Sequence, residues 1–502
     1  MSLKKISLTK EQSDIVEFFG LMLRSEEFNS LAIKAFAGCG KSFILKYLAF
    51  LHSDKKFLGL AFNTGIASEN SKEFPKKNCK WFTVHKFART YLVKAGVSFD
   101  FKNQRAAYKS LELIDILGIK DRGDYLLADS ISEVFKVFCQ SALKEISPES
   151  IKKAAKSQKN RAVSEMNDAY LEAGCVYANR LWSKFENNEI APTFDFYLKY
   201  FEVKEFARSI NEFDVVELDE AQDSNAVTMS IIHQIKAKYI FVGDEHQSIY
   251  AFRGTVNALK FADKSFYISS TFRYIPKIAA RASDILSTYK GEKVPITSLA
   301  AEKKRVDGVT AYLSRNNSSM ISLIKDLVAQ GVFFKTVKEP KELFKAALAM
   351  LEFRLERSVS DKDFMYLKRF SDFEEVEEYV AETNDNELGT ALKMQKQYGK
   401  GLYVLLKHAE KNYKSKEAAG VVLSTAHVSK GLEWDNVKLL SDFPDIIKLL
   451  KDAKIKNSVE LMKRVKEGDF KANEIVQEIN LFYVAVTRAR FEVEHSVERD
   501  VE

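Results

Sequence analysis

Apolar and polar positions follow two rhythms along this chain. From about residue 30 to 90, from 213 to 285 and from 420 to the end, short apolar runs alternate with amphipathic stretches. That is the pattern of strands followed by helices in an α/β fold. The intervals 98–190 and 336–418 instead carry helical periodicity, are rich in Lys, Glu, Leu and Ala, and hold few strand signals. They predict helical insertions in α/β cores. The resulting division is a first core at 1–97 and 191–257 with a helical insertion at 98–190. A second core follows at 258–335 and 419–502, with a shorter helical insertion at 336–418.

Length and composition agree with this division. A chain of 502 residues is too long for a single hydrophobic core. No apolar run approaches the ~20 residues needed to span a bilayer, so no membrane partner is expected. With seven prolines and 20 glycines, long flexible linkers are not expected. The net charge of +7 permits a polyanionic partner. Cys39, Cys79, Cys139 and Cys175 lie far apart, with no CxxC pair and no histidine cluster. That argues for a reducing, intracellular compartment and against a zinc or iron–sulfur site. The start, Met1-Ser-Leu-Lys-Lys, lacks a signal-peptide pattern, so the expected location is cytoplasmic or nucleoid-associated.

Three segments carry chemistry. Leu31-Ala-Ile-Lys-Ala-Phe-Ala-Gly-Cys-Gly-Lys-Ser42 reads as a strand, a glycine-containing loop and a helix opening at Lys41. Backbone amides from Ala37, Gly38, Cys39 and Gly40 can cradle phosphates there. Lys41 would reach the β- and γ-phosphates, and Ser42 would bind Mg²⁺. The strict GxxxxGK[ST] pattern fails at its first position, where Ala35 stands. Phe213-Asp-Val-Val-Glu-Leu-Asp-Glu-Ala-Gln-Asp223 is an apolar strand ending in paired acids. Asp219 can hold Mg²⁺, and Glu220 can polarise an attacking water. Glu217 fits such a strand poorly: either its face opens toward the site or it has a cationic partner. In Phe241-Val-Gly-Asp-Glu-His-Gln-Ser-Ile-Tyr-Ala-Phe-Arg253, Asp244 and Gln247 sit where a loop leaves a strand. Tyr250 and Phe252 then offer flat rings, so groups suited to a phosphate and to bases share one short segment.

Taken with their order, these segments resemble the UvrD/Rep class of superfamily 1 DNA helicases. Within it they are most similar to the F-box DNA helicases, through the Ala-Phe-Ala-Gly-x-Gly-Lys loop and the Phe252–Leu259 stretch. Further motifs follow in family order. They are Leu8–Gln12, Leu60–Thr64, Trp81–Phe87, Ser270–Arg273, Ser424–Trp434 and Asn480–Ala489. The resemblance implies two RecA-like cores that bind ATP and Mg²⁺ between them. It implies that Gln12 reads adenine, Phe272 stacks on it, and Glu433 approaches the nucleotide sugar. Gln247 would sense the γ-phosphate, with Arg273 and Arg488 as arginine fingers from the second core. Phe62, Asn63, Thr64, His85, Tyr250, Phe252, Thr425 and His427 would meet the nucleic acid.

Taken singly, Phe62 and Phe252 read as core aromatics in a chain with 37 phenylalanines, and the flanking motif lifts Tyr250 and Phe252 above that reading. His85 and His427 read equally well as structural histidines. The implied activity is ATP-driven movement 3′ to 5′ on single-stranded DNA, with unwinding at single-strand/duplex junctions. Two rivals stand beside it: a translocase that strips proteins from DNA, and an ATP-gated subunit needing a partner, met through 336–418. The basic run Lys152–Arg161 is a solvated helix face or a duplex contact. RNA is not excluded by motifs of this kind. No nuclease domain is expected after Arg490, and no F-box is expected before Leu8.

Overall fold

Six strands make the first sheet: β1 (Ser30–Ala35), β2 (Phe57–Ala61), β3 (Cys79–Thr83), β4 (Val215–Leu218), β5 (Lys238–Gly243) and β6 (Lys264–Ile268). Their spatial order is β3-β2-β4-β5-β1-β6, and every pairing is parallel. Two short strands, β7 (Ser270–Thr271) and β8 (Thr297–Ser298), pair beyond it. A second parallel sheet is built from β9 (Thr310–Ser314), β10 (Phe334–Thr336), β11 (Val421–Thr425), β12 (Trp434–Leu439) and β13 (Ala489–His495). Its order is β10-β11-β9-β12-β13. This computed structural model describes residues 7–120, 125–251, 254–300, 308–356, 358–383 and 385–495. Both sheets have the crossover-connected parallel architecture of a RecA-like core, so the α/β expectation holds.

The boundary at 257/258 needs correction. Residues Lys264–Ile268 pair with β1, Leu31 against Lys264 through Ala35 against Ile268, and so extend the first sheet. Lys264 and Ser265 are exposed, as suits an edge strand, and so weak a pattern is hard to assign from sequence.

Alternation along the strands sends side chains to two different cores. Ala32, Val216 and Leu218 join an apolar cluster that continues through the helices of the first insertion. Those helices include Ser110–Leu117, Tyr125–Gln140 and Asp168–Glu186. The cluster reaches Phe364, Tyr366 and Tyr379 of the second insertion. Leu31, Ile33 and Val215, on the opposite face, belong to a second cluster that runs without a break into Ala311, Leu313, Val437 and Tyr483 of the second core. The insertions also meet through polar contacts: Lys109 Nζ lies 3.1 Å from Glu387, and Arg369 donates to the Leu111 carbonyl at 2.9 Å. Among the described residues no helix is long and apolar enough to cross a membrane.

A buried ion pair ties the first insertion to its core. Lys199 and Glu202, both 0% exposed, stand 2.8 Å apart. Lys199 also donates to the Ser141 carbonyl at 2.9 Å, and Glu202 accepts from Lys144 and Ser230 at 2.7 Å each. The extra hydrogen bonds are what make burial of two charges tolerable.

Gly59 in β2 lies beneath the Trp81 indole, where an added Cβ would stand 2.2 Å from the ring. Gly20, inside the helix Lys10–Met22, has nothing within 4 Å of that position. Gly59→Ala is therefore expected to destabilise the chain by about 1–3 kcal/mol through overpacking. Gly20→Ala should stabilise it by about 0.5–1 kcal/mol through helix propensity. Paired thermal melts check both signs.

Candidate nucleotide and nucleic-acid site

The phosphate loop follows β1, and the helix Lys41–Leu51 opens at Lys41 as its pattern predicts. Gly38 (φ +74°) and Gly40 (φ +85°) take left-handed conformations that suit glycine. At Gly38 close approach adds a second requirement. A Cβ there would lie 2.6 Å from Arg273 Cβ and 2.7 Å from Thr271 Oγ1, both of the second core. The Phe272 amide donates to the Gly38 carbonyl at 3.2 Å across the same junction. Two of the candidate cradle amides are already committed. The Ala37 N–H donates to Tyr483 Oη at 3.2 Å, and the Cys39 N–H to the Phe36 carbonyl at 3.1 Å. Those two amides would have to give up these partners before either could meet a phosphate. Gln12 is buried beside this loop, and a Cβ at Gly40 would lie 3.7 Å from its Nε2. It also closes a capping box with Thr9.

Beyond β4, Asp219 is buried and Glu220 turns into the left-handed region at φ +53°. That conformation costs a residue with a Cβ about 1–2 kcal/mol. It is held by Lys41 Nζ at 2.6 Å from Glu220 Oε1, and by Gln222 Nε2 donating to Oε2 at 2.5 Å. Lys430, from the second core, lies 3.4 Å from Glu220 Oε2, pairs with Asp223, and donates to the Gln247 carbonyl at 2.9 Å. Burial pushes the Glu220 carboxyl up, but Lys41 and Lys430 outweigh it and hold the group well below the usual carboxylate range. Burial and the neighbouring Glu220 charge push Asp219 the other way. The buried carboxylate of Asp219 and the exposed hydroxyl of Ser42 are hard oxygen donors of the kind Mg²⁺ takes.

The sensor segment joins this network. Gln247 Nε2 donates to Asp244 Oδ2 at 2.7 Å, and the Asp244 N–H donates to Gln222 Oε1 at 3.1 Å. From the second core, Arg273 Nε stands 2.6 Å from Glu433, whose carboxylate also meets Arg490 at 2.8 Å. Phe272 is 44% exposed beside them. Arg488 is 1% exposed and donates to the carbonyls of Val484 (2.9 Å) and Leu432 (3.1 Å) and to Thr487 Oγ1. Among the described residues it has no carboxylate partner. Burial and the nearby Arg273 push its pKa down to about 9, so it remains a cation at neutral pH. A buried guanidinium bonded only to neutral oxygens suits an anionic ligand.

The nucleic-acid candidates divide. Phe62 and Tyr250 stack at 5.0 Å between centroids, and the Tyr250 hydroxyl donates to the His427 carbonyl at 3.4 Å. Lys430 Nζ lies 5.4 Å from the Tyr250 ring, joining this stack to the acids. A cavity of about 790 Å³ runs from Asp219 and Glu220 past Phe62 and His85 to Lys109 and Glu387. His85 stands 3.8 Å from Asp195 on its wall. Asn63 and Thr64 are exposed at the start of the helix Thr64–Glu73, where Asn63 Oδ1 accepts from Ile66 N–H at 2.9 Å. Thr425 is buried, its hydroxyl accepting from Val428 N–H, so it faces its own loop. His427 lines a separate cavity with Arg315 and Lys159. Phe252 lies outside the described residues.

Gln222, Lys430 and Tyr483 belong to the site although sequence reasoning did not single them out. All three lie inside the motifs quoted for the resemblance, so their positions were in view. Glu217 follows neither expectation. Its carboxylate is fully buried, has no hydrogen-bond partner among the described residues, and is pushed up by burial and by Asp219 toward the neutral acid.

Two parallel-sheet cores with a glycine-rich phosphate loop, a strand-end acid pair and cations from the second core define a P-loop nucleotide-binding protein. More narrowly, the chain belongs to the UvrD-like helicase family. The UvrD/REP helicase N-terminal domain matches residues 24–266, and the UvrD-like helicase C-terminal domain matches residues 273–496. Among curated proteins, the chain is 29% identical to F-box DNA helicase protein 1 of Schizosaccharomyces pombe, covering 96% of this chain and 56% of that protein. It is 25% identical to F-box DNA helicase 1 of Gallus gallus, covering 97% of this chain and 49% of that protein. The chain thus spans about half the length of the curated relatives it matches.

Cys39 is buried in the phosphate loop, and burial, with the charges of Asp244 and Glu11, pushes its thiol up. A thiol of that kind is a poor nucleophile. Mild alkylation should leave nucleotide turnover unchanged; ATP-protected inactivation would contradict this.

Proposed function

We propose that this chain is an ATP-driven motor on single-stranded DNA, with the two cores and their insertions as its moving units. The observation that carries the reading is one buried junction. Lys41 and Glu220 of the first core meet Lys430 of the second there, Arg273 lies against Gly38 of the phosphate loop, and Arg488 is near enough to feel the Glu220 charge, with the Phe62–Tyr250 stack beside Lys430. ATP seated in the loop would place its phosphates against Lys41 and the amides of Gly38, Gly40 and Ser42. Ser42 and Asp219 would hold Mg²⁺, which supplies charge neutralisation on the phosphates when bound. Glu220, held as the carboxylate, accepts the proton of the attacking water. Arg273 and Arg488 offset the charge that spreads over the transferred group, an effect worth roughly 10³–10⁵ in rate for an arginine finger. Because these cations come from the far core, turnover requires the cores to be in register, which couples nucleotide state to their relative position.

On the nucleic-acid side, a stack of rings contributes about 1–3 kcal/mol per base and tolerates any sequence. Gripping and releasing such stacks gives stepwise travel. By family resemblance we assign 3′-to-5′ direction and unwinding at junctions. The short second insertion favours a second reading, a translocase that displaces bound proteins with little unwinding.

The test is ATP hydrolysis by the purified chain with and without single-stranded DNA. Strong stimulation that weakens with added salt is expected. Glu220→Gln should retain ATP binding and lose turnover. Turnover indifferent to DNA, or a fully active Glu220→Gln variant, would remove the reading.

A further inference from the structure

Tyr483 lies in the second-core helix Phe470–Val486 with its side chain fully buried. Its hydroxyl is saturated: it accepts from the Ala37 N–H of the phosphate loop at 3.2 Å and donates to Asp244 Oδ2 at 3.1 Å. From Asp244 the bonds run on. Gln247 Nε2 shares the same oxygen at 2.7 Å, and the Asp244 amide reaches Gln222, which reaches Glu220, which meets Lys41. The circuit therefore starts on the phosphate loop and returns to the residue that ends it. Lys430 also reaches the circuit from the second core, at Glu220 and the Gln247 carbonyl, whereas Tyr483 is the second-core side chain that bonds both Asp244 and the Ala37 amide.

We propose that the Tyr483 hydroxyl is the contact through which the second core sets the Asp244–Gln247 pair against the phosphate loop, making Tyr483 a positioning residue for nucleotide hydrolysis. The inference rests on the ATPase reading above. The ring packs in the apolar cluster shared by the two cores, a role phenylalanine fills equally well. The hydroxyl is different. Without it a buried amide loses its acceptor and a buried carboxylate loses a donor, and each is costly to leave unpaired. The carboxylate then re-orients, and the Gln247 amide bonded to it moves as well. The same helix leads directly into Arg488, so the position of one second-core element governs both the sensor and an arginine.

The test compares the native chain with Tyr483→Phe. The variant should fold, melt below the native chain but cooperatively, and bind ATP with KM changed less than about threefold, while kcat in the presence of single-stranded DNA falls about tenfold. Asp244→Asn should lower kcat in the same way. The double variant should lose no more than the worse single one, because both changes break one relay. Additive losses, or a Tyr483→Phe enzyme with native kcat and native DNA stimulation, overturn the inference. A Tyr483→Phe chain that does not fold assigns the hydroxyl to stability and also overturns it. A native chain without ATPase activity overturns the functional reading and the inference together, which distinguishes the two failures.

Discussion

The organisation of this protein depends on keeping one carboxylate charged in its interior. Removing an ion from water costs several kcal/mol unless partners replace the hydration it loses. Glu220 has such partners: Lys41 of its own core, Gln222 beside it, and Lys430 arriving from the other core. The charge that would activate water is thus also an electrostatic bond between the two halves of the molecule. Either core alone leaves the balance incomplete. The left-handed backbone at Glu220 fits this view, because strain is retained where surrounding contacts over-determine it.

Parallel topology explains why so many candidate residues converge. In open α/β sheets the loops at the carboxyl ends of the strands line the ligand crevice. The phosphate loop follows β1, the Phe62 segment follows β2, the acids follow β4, and the Asp244 segment follows β5. The second sheet adds the Thr425–Lys430 loop after β11. Segments hundreds of residues apart in the chain share one rim as a consequence of connection geometry.

Much of this rim was legible in the sequence, for a local reason. A strand, a loop and a helix start leave a contiguous imprint, so Gly38–Ser42, Asp219–Glu220 and Asp244–Gln247 could be assigned to their elements from neighbouring residues. Contacts across the junction leave no such imprint. Tyr483 is 239 residues from Asp244 and 446 from Ala37, and Lys430 is 207 from Asp223. Nothing in their own surroundings distinguishes a core tyrosine from a bridging one. The edge strand β6 was placed with the second core because exposed Lys264 and Ser265 weaken its pattern, and the bond from the Ala37 amide to Tyr483 was not foreseen because an amide's partner cannot be read from its residue type. Glu217 shows the limit in the other direction. Its burial could be foreseen from the apolar strand, whereas its lack of any partner could not.

The unbroken apolar cluster that joins the first sheet to Tyr483, Leu313 and Val437 has a mechanical consequence. A seam of this kind resists separation, since opening it would expose apolar surface at about 25 cal/mol per Å². It resists sliding and rolling far less, because those motions exchange one buried contact for another. The junction therefore behaves as a bearing rather than a clamp. It is stiff along the line between the cores and more compliant across it.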